Sequence, residues 1–268
     1  MIISVINHTE GLLSDAEVQR AIRAINRQIA EDFAPVWDMS ATLRLEGKSF
    51  TGRASPRSDL QHAVDMRGDA VIYLWHPVDV RQGLGFHAVN FLGIPYGFVF
   101  PSVSRALGEP WPVTLSHEAL EILADPEVNL LVMGPRPGGN GMVFHWYEVC
   151  DAVQTEAYNI DGVPVSNFVL PLYFTNSEEA GSRNDFLSTQ VNGRSLPSFG
   201  VNPGGYTGYF DPVTGEHGMS ISEGDQRSLH RLQVKRSLGL TRRTVRYARR
   251  PDTSQTEAAS IRSFLNSG

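Results

Sequence analysis

Residues 114–126 read TLSHEALEILADP, and the way this stretch meets the rest of the chain decides the fold around it. It has the length of a helix, closed by Pro126. Placed at about 100° per residue from His117, Glu121 falls at about 40°, Asp125 at about 80° and Glu118 at about 100°. Leu115, Ala119, Ile122 and Leu123 fall on the far side. Such a helix packs through one face and gathers a histidine and several carboxylates on the other. Glu118 with Glu121, and Glu121 with Asp125, are like-charge neighbours, each costing an isolated helix about 0.2–0.5 kcal/mol. No Lys or Arg lies between Arg105 and Arg136 to relieve them. Two readings stand: the wedge holds a divalent cation, or it is a solvated helix surface.

The spacing suits a metal. Positions i and i+4 place His117 and Glu121 one turn apart, able to converge on one ion. Glu118 projects beside that ion, where it can take a proton from a water on it. Asp125 lies about 12 Å along the axis from His117, which makes it a helix-end residue supporting the ligands from outside. A third ligand is sought in HWYEVCD (145–151), and Glu148, 27 residues beyond Glu121, is the candidate. A lone Glu in the apolar run VFHWYEVC is costly to bury unless paired or coordinating, although a half-exposed element would simply show it to water. Cys150 reads as a small core residue. Asp151 is a candidate outer support; His145 reads as a core histidine, a ligand or an oxyanion donor, and Tyr147 and Tyr158 as oxyanion donors or ordinary packing.

At 268 residues the chain can bury a sizeable core, and 41% hydrophobic with 19% charged residues is the composition of a soluble globular protein. No apolar run reaches the roughly 18–20 residues that span a bilayer, and MIISVINHTE lacks the basic and apolar regions of a signal peptide. The single cysteine excludes an intrachain disulfide and fits a reducing compartment. The expected setting is the cytoplasm, or a particle such as a virion assembled in one, without a membrane partner. The net charge of −6 hides a segregation. Between Ala106 and Ser182, eleven acids face one basic residue, Arg136, whereas Arg227 to Arg250 carries nine Lys/Arg and no acid. Either the two regions meet, or each has its own partner.

Along the chain, IISVI (2–6) reads as a buried strand. Ser14 caps a helix over 15–33 with Val18, Ile22, Ile25 and Ile29 on one face, ended by Pro35. Strands follow at 41–45 and 69–76, separated by a polar loop at 48–59. Residues 85–100 read as a hairpin or a bent strand, with a turn at Gly93 to Pro95. Residues 134–141 are a loop, 143–154 are helix or strand, and Asp161-Gly162 is a strong hairpin turn within 158–174. Past residue 180 the texture becomes polar and Gly-rich, with Tyr206, Tyr209 and Phe210 to bury. SEGDQRSLHRLQVKRSLG (222–239) reads as a basic amphipathic helix with Leu229 and Leu232 inward.

SHEALE resembles the H-E-x-x-H motif of zinc peptidases, with Glu121 at the second histidine's place, and in particular the gluzincins, whose third ligand is a Glu on a later element. The similarity covers roughly residues 1–175. HEALE with ADP, YEVCD and IDGVPVSNFVLP is also similar to small bacterial and phage proteins of no established activity. The resemblance implies an α+β zincin-like domain over 1–180, followed by a loop-rich extension over 181–268 that ends in the basic helix. It implies His117, Glu121 and Glu148 as ligands and Glu118 as general base. It further implies that the extended segment YGFVF, with Tyr96, Gly97 and Phe98, is an edge strand that pairs with a peptide substrate. Zn²⁺ is the expected ion. A His/Glu/Glu set is harder and more anionic than His/His/Glu, which opens the site to Mn²⁺, Mg²⁺ or Ca²⁺.

Two classes of function follow. One is a metal-dependent hydrolase acting on peptides or proteins. The other is a non-catalytic structural or assembly protein on the same scaffold. In the second, the tail would bind nucleic acid or an acidic neighbour through residues such as Arg231, Lys235, Arg236, Arg242 and Arg243. Phosphate-binding loops, G-x-S-x-G elbows and paired C-x-x-C motifs are absent from the sequence.

Overall fold

The computed structural model describes residues 1–47, 59–76, 84–176 and 182–222. The expected loop before Asp59 and the basic helix after Ser222, with Arg231, Lys235, Arg236, Arg242 and Arg243, lie outside the described residues.

The elements in chain order are β1 (Ile2–His8), α1 (Asp15–Gln28), α2 (Ala34–Trp37), β2 (Thr42–Glu46), α3 (Asp59–Asp65), β3 (Ala70–Trp75), β4 (Gly85–Val89), β5 (Pro95–Val99), α4 (Pro101–Ala106) and α5 (Trp111–Ala124). The later part is built from β6 (Leu131–Pro135), β7 (Met142–Trp146), β8 (Ala157–Ile160), β9 (Val163–Ser166), β10 (Gln190–Val191), β11 (Arg194–Ser195), β12 (Tyr206–Phe210) and β13 (His217–Ile221). The architecture is α+β, with a mixed five-stranded sheet in the order β2-β1-β3-β5-β4. Strands β2, β1, β3 and β5 run parallel, and β4 returns antiparallel to β5.

Period-two alternation sorts the sheet residues between two cores. Ile3, Val5, Ile72, Leu74 and Val99 join one cluster with the apolar faces of α1 and α5. Ile6, Val71, Tyr73, Tyr96 and Phe98 join the other, where the His62 ring of α3 lies over Tyr73 and Tyr96 and Val103 of α4 closes the edge. Gly97 faces α5: a Cβ there would lie 3.4 Å from Ile122 Cδ1 and 3.3 Å from the Phe86 carbonyl, so its missing side chain lets the helix sit close to the sheet.

Helix α1 begins with a capping box. Ser14 Oγ accepts the Glu17 N–H, and Glu17 accepts the Ser14 N–H at 2.8 Å. Pro35 does not end the helical run, contrary to the sequence reading. The backbone widens into a π turn over Ile29–Phe33 and continues as α2 until Asp38 turns left-handed at φ 53°. The wider turn before Pro35 makes room for a ring that would collide with the carbonyl four residues back in a regular α-helix.

Residues 143–154 divide: β7 runs to Trp146, and a short 3₁₀ turn forms at Asp151–Val153. Strands β8 and β9 form the expected hairpin, with Asp161 (φ 50°) and Gly162 (φ 76°) both left-handed, as a two-residue turn requires. The Gly-rich segment past residue 180 is joined to what precedes it. Strand β12 pairs with β7, placing Tyr209 opposite His145, in a sheet ordered β13-β12-β7-β6. Arg136 reinforces this with a 2.6 Å ion pair to Asp211. The sheet therefore crosses the boundary drawn at residue 180.

A polar clasp fixes α5 against α1 and β9. The fully buried Gln28 accepts Ser116 Oγ–H at 2.6 Å and donates to the Ser166 carbonyl at 2.8 Å and to Tyr158 Oη at 3.1 Å. Ser116 Oγ in turn accepts the Ser166 N–H. Substituting Gln28→Ala strands these partners away from water, at a cost of about 2–4 kcal/mol. Urea unfolding followed by circular dichroism should show that loss, and a change under about 1 kcal/mol would mean the clasp is incidental.

Candidate metal centre

Helix α5 carries its polar groups inward. Its first turn contains Pro112, tolerated there because the N–H it lacks would have no intrahelical partner. Strands β4, β5 and β9 pack around the helix. Glu118 is 5% exposed and Glu121 only 2%, so the wedge is not a solvated surface. The return strand β4 and the segment after β7 cover the helix face that periodicity alone leaves open to solvent.

Strand β4 supplies a group the sequence reading missed, His87. Along GFHAV, Gly85 and His87 alternate with Phe86 and Ala88, and the latter two pack into the second core. His87 Nδ1 lies 3.0 Å from Glu118 Oε2 and 3.4 Å from Glu121 Oε2, and its Nε2 lies 3.8 Å from Glu148 Oε2. Gly85 leaves the space for this: a Cβ there would lie 2.9 Å from Glu118 Oε1 and 2.7 Å from Thr114 Cγ2. The signal in the sequence was a histidine in step with a glycine on a strand before the motif helix. Only the strand order turns it toward α5.

On the opposite side, His117 Nε2 lies 3.2 Å from Glu121 Oε2 and 3.3 Å from Asp151 Oδ1. Two sets of ligand atoms therefore cluster within 4.8 Å: His117 with Glu121 and Asp151, and His87 with Glu121 and Glu148. Atoms bound to one ion at about 2.0–2.2 Å stand roughly 3–4 Å apart, so the separations around His117 fit a cation of that kind. His117 and Glu121 come together as the spacing expected. Glu148 gathers with His87 instead of His117, and Asp151 takes the position beside His117. The turn between them, leading into the 3₁₀ helix at Asp151, separates the two carboxylates.

The other candidates take different places. Asp125 accepts the N–H groups of Asn129 and Leu130 and so shapes the chain leaving α5. His145 bonds the Pro135 carbonyl through Nε2 at 2.9 Å and lies against the Phe199 ring; burial pushes its pKa below the ordinary histidine value. Tyr147 stacks on Phe174 and meets the edge of Trp37. Tyr158 donates its hydroxyl to Asp32 at 2.7 Å. Cys150 is fully buried, and burial first, then Glu121, pushes its thiol well above the ordinary range. Its backbone N–H donates to Glu121 Oε1 at 3.3 Å. A second residue, read from the sequence only as one to bury, is Tyr206 of β12; burial, then the nearby Asp151, Glu121 and Glu148, raise its pKa well above the usual phenol value.

Strand β5, with Tyr96, Gly97 and Phe98, is not an edge. It is enclosed between β3 and β4, and the edge position next to α5 belongs to β4, because the hairpin folds back on the outer side.

No family model, no curated protein and no solved structure matches this chain. No helix among the described residues is long and apolar enough to cross a membrane.

Burial alone would lower the His117 pKa, but Glu121, Asp151 and Glu118 outweigh it and hold the imidazole well above the ordinary value. The protonated imidazole thus stabilises the metal-free fold fully below about pH 6.5, and that contribution is lost as pH rises through the raised pKa. An ion binding to His117 must displace this proton. Zn²⁺ affinity should therefore strengthen by up to about tenfold per pH unit above pH 6.5, with about one proton released by His117. Calorimetry in buffers of different ionisation enthalpy measures both, and a Kd unchanged between pH 6.5 and 8 would contradict this protonation state.

Proposed function

We propose that the chain is a divalent-metal-dependent hydrolase on a zincin-like scaffold, acting on peptide bonds, with His117, Glu121 and Asp151 holding the ion and Glu118 as general base. The observation that carries this reading is the convergence of His117, Glu121 and Asp151 from two elements on a buried helix face, with Glu118 on the same helix one residue from His117. A bound divalent cation supplies a Lewis acid that polarises a carbonyl and makes water more acidic at neutral pH. The ligand set contains oxygen and nitrogen only, which suits Zn²⁺ and leaves Mn²⁺ acceptable.

The chain's own residues supply the rest. Glu118 stands 3.0 Å from His87 on the helix that carries His117 and Glu121, a place from which its carboxylate can take up a proton and pass it on. Tyr206 borders Asp151, Glu121 and Glu148, whose charges raise its pKa, and so keeps a protonated phenol beside these carboxylates. Strand β4 is the one to which an extended peptide adds, since of the sheet's two outer strands among the described residues it is the one packed against α5. That role passes to β4 from the Tyr96–Phe98 segment.

A second reading keeps the ion and drops the reaction. It is favoured by one observation: the side chains of His87, Glu118, Glu121, Glu148, His117 and Asp151 are all 12% exposed or less, which shields Glu118 from a large substrate. The site would then be a structural cross-link in an assembly protein.

The two readings separate at Glu118. In a hydrolase, Glu118→Gln retains the metal and loses about 10²–10⁴-fold in the rate of peptide hydrolysis, the range typical of a lost general base. A wild-type protein that binds Zn²⁺ or Mn²⁺ stoichiometrically yet cleaves nothing in a mixed peptide library, while Glu118→Gln leaves the metal in place, supports the structural reading.

A further inference from the structure

We infer that the centre holds two divalent cations, with Glu121 bridging them, the second ion being held by His87 and Glu148. This deepens the metal-dependent reading above and rests on it. Glu121 belongs to both ligand sets, whereas His87 and Glu148 share no set with His117 and Asp151. Its Oε2 stands 3.2 Å from His117 Nε2 and 3.4 Å from His87 Nδ1, each a separation normal for two ligands of a common ion. The other oxygen, Oε1, accepts the Cys150 N–H, so the carboxylate is oriented with Oε2 between the two imidazoles. A single ion bound to His117 and Asp151 leaves His87 and Glu148 enclosed beside it with their own ligand geometry intact. A second ion uses them.

Charge leads to the same count. Glu118, Glu121, Glu148 and Asp151 are each less than a tenth exposed. With both imidazoles neutral and acting as ligands, four ionised carboxylates carry four negative charges. With a single ion at His117 and Asp151, a protonated His87 beside Glu118 and Glu121 still leaves one of the four charges unmatched, whereas two ions with neutral imidazoles match all four. Uncompensated buried charge is among the most costly features a fold can carry. A shared carboxylate is also the arrangement that sets two ions about 3.5–4 Å apart, close enough to act on one substrate group from both sides.

The test is metal stoichiometry on the full chain, by titration with Zn²⁺ or Mn²⁺ alone and by elemental analysis after gel filtration. Two equivalents are expected for the wild type. His87→Ala and the isosteric Glu148→Gln should each retain one, and His117→Ala should also retain one. Mn²⁺ at two equivalents should give an exchange-coupled paramagnetic spectrum that reverts to isolated Mn²⁺ in Glu148→Gln. Circular dichroism establishes that each variant is folded, and Glu148→Gln carries the test if His87→Ala is not.

One equivalent in the wild type, unchanged by His87→Ala or Glu148→Gln and lost in His117→Ala, overturns the second site while leaving the single-ion reading intact. No bound metal overturns both. Two equivalents with uncoupled spectra, indifferent to all three substitutions, would belong to surface groups and equally overturn the inference.

Discussion

The Glu121 carboxylate takes a backbone N–H from Cys150 on one oxygen and faces two imidazoles with the other, at 2% exposure. Withdrawing a carboxylate from water costs several kcal/mol, and only close donors or cations repay it. The surrounding elements each bring one of those partners. Strand β4 folds back beside β5 and carries His87. The chain after β7 turns so that Cys150 presents its N–H and Asp151 meets His117. Displacing any of these elements would leave Glu121 short of a partner, so the site constrains the fold as much as the fold builds the site.

The scaffold holds this arrangement through buried polar contacts as well as apolar packing. Gln28 joins α1 to α5 and β9, and Trp37 Nε1 donates to the Val169 carbonyl across the same core. Such bonds fix the rotation of α5 about its axis, because Ser116 must point at Gln28. Ser116 immediately precedes His117, so a helix locked at one is locked at the other.

Local patterns were legible in the sequence and long-range ones were not. The capped α1, the alternating strands, the Asp161-Gly162 turn and the i, i+4 pair His117/Glu121 each depend on neighbours within one or two turns of chain. The polar cluster on α5 was legible too, but its burial was not, because the cover comes from β4 and from residues 148–151. His87 escaped notice because its role depends on β4 being the outermost strand, and strand order is set by packing across the sheet. The same ambiguity placed the edge at Tyr96–Phe98. Glu148 and Asp151 are three residues apart, and only the turn between them decides which meets His117. Pro35 was read by its usual effect, which the π turn at Ile29–Phe33 removes.

The pairing of β12 with β7, which brings Tyr206 beside Asp151, has a consequence for how the molecule is made. A ribosome delivers His87, His117, Glu121, Glu148 and Asp151 well before Tyr206, which follows Asp151 by 55 residues. Chains order themselves from the N-terminal side as they emerge. During synthesis there is thus an interval in which every histidine and carboxylate of the centre has been translated while β12 is not yet paired with β7. The groups of the centre are translated before the strand that covers them, an order fixed by the order of the residues.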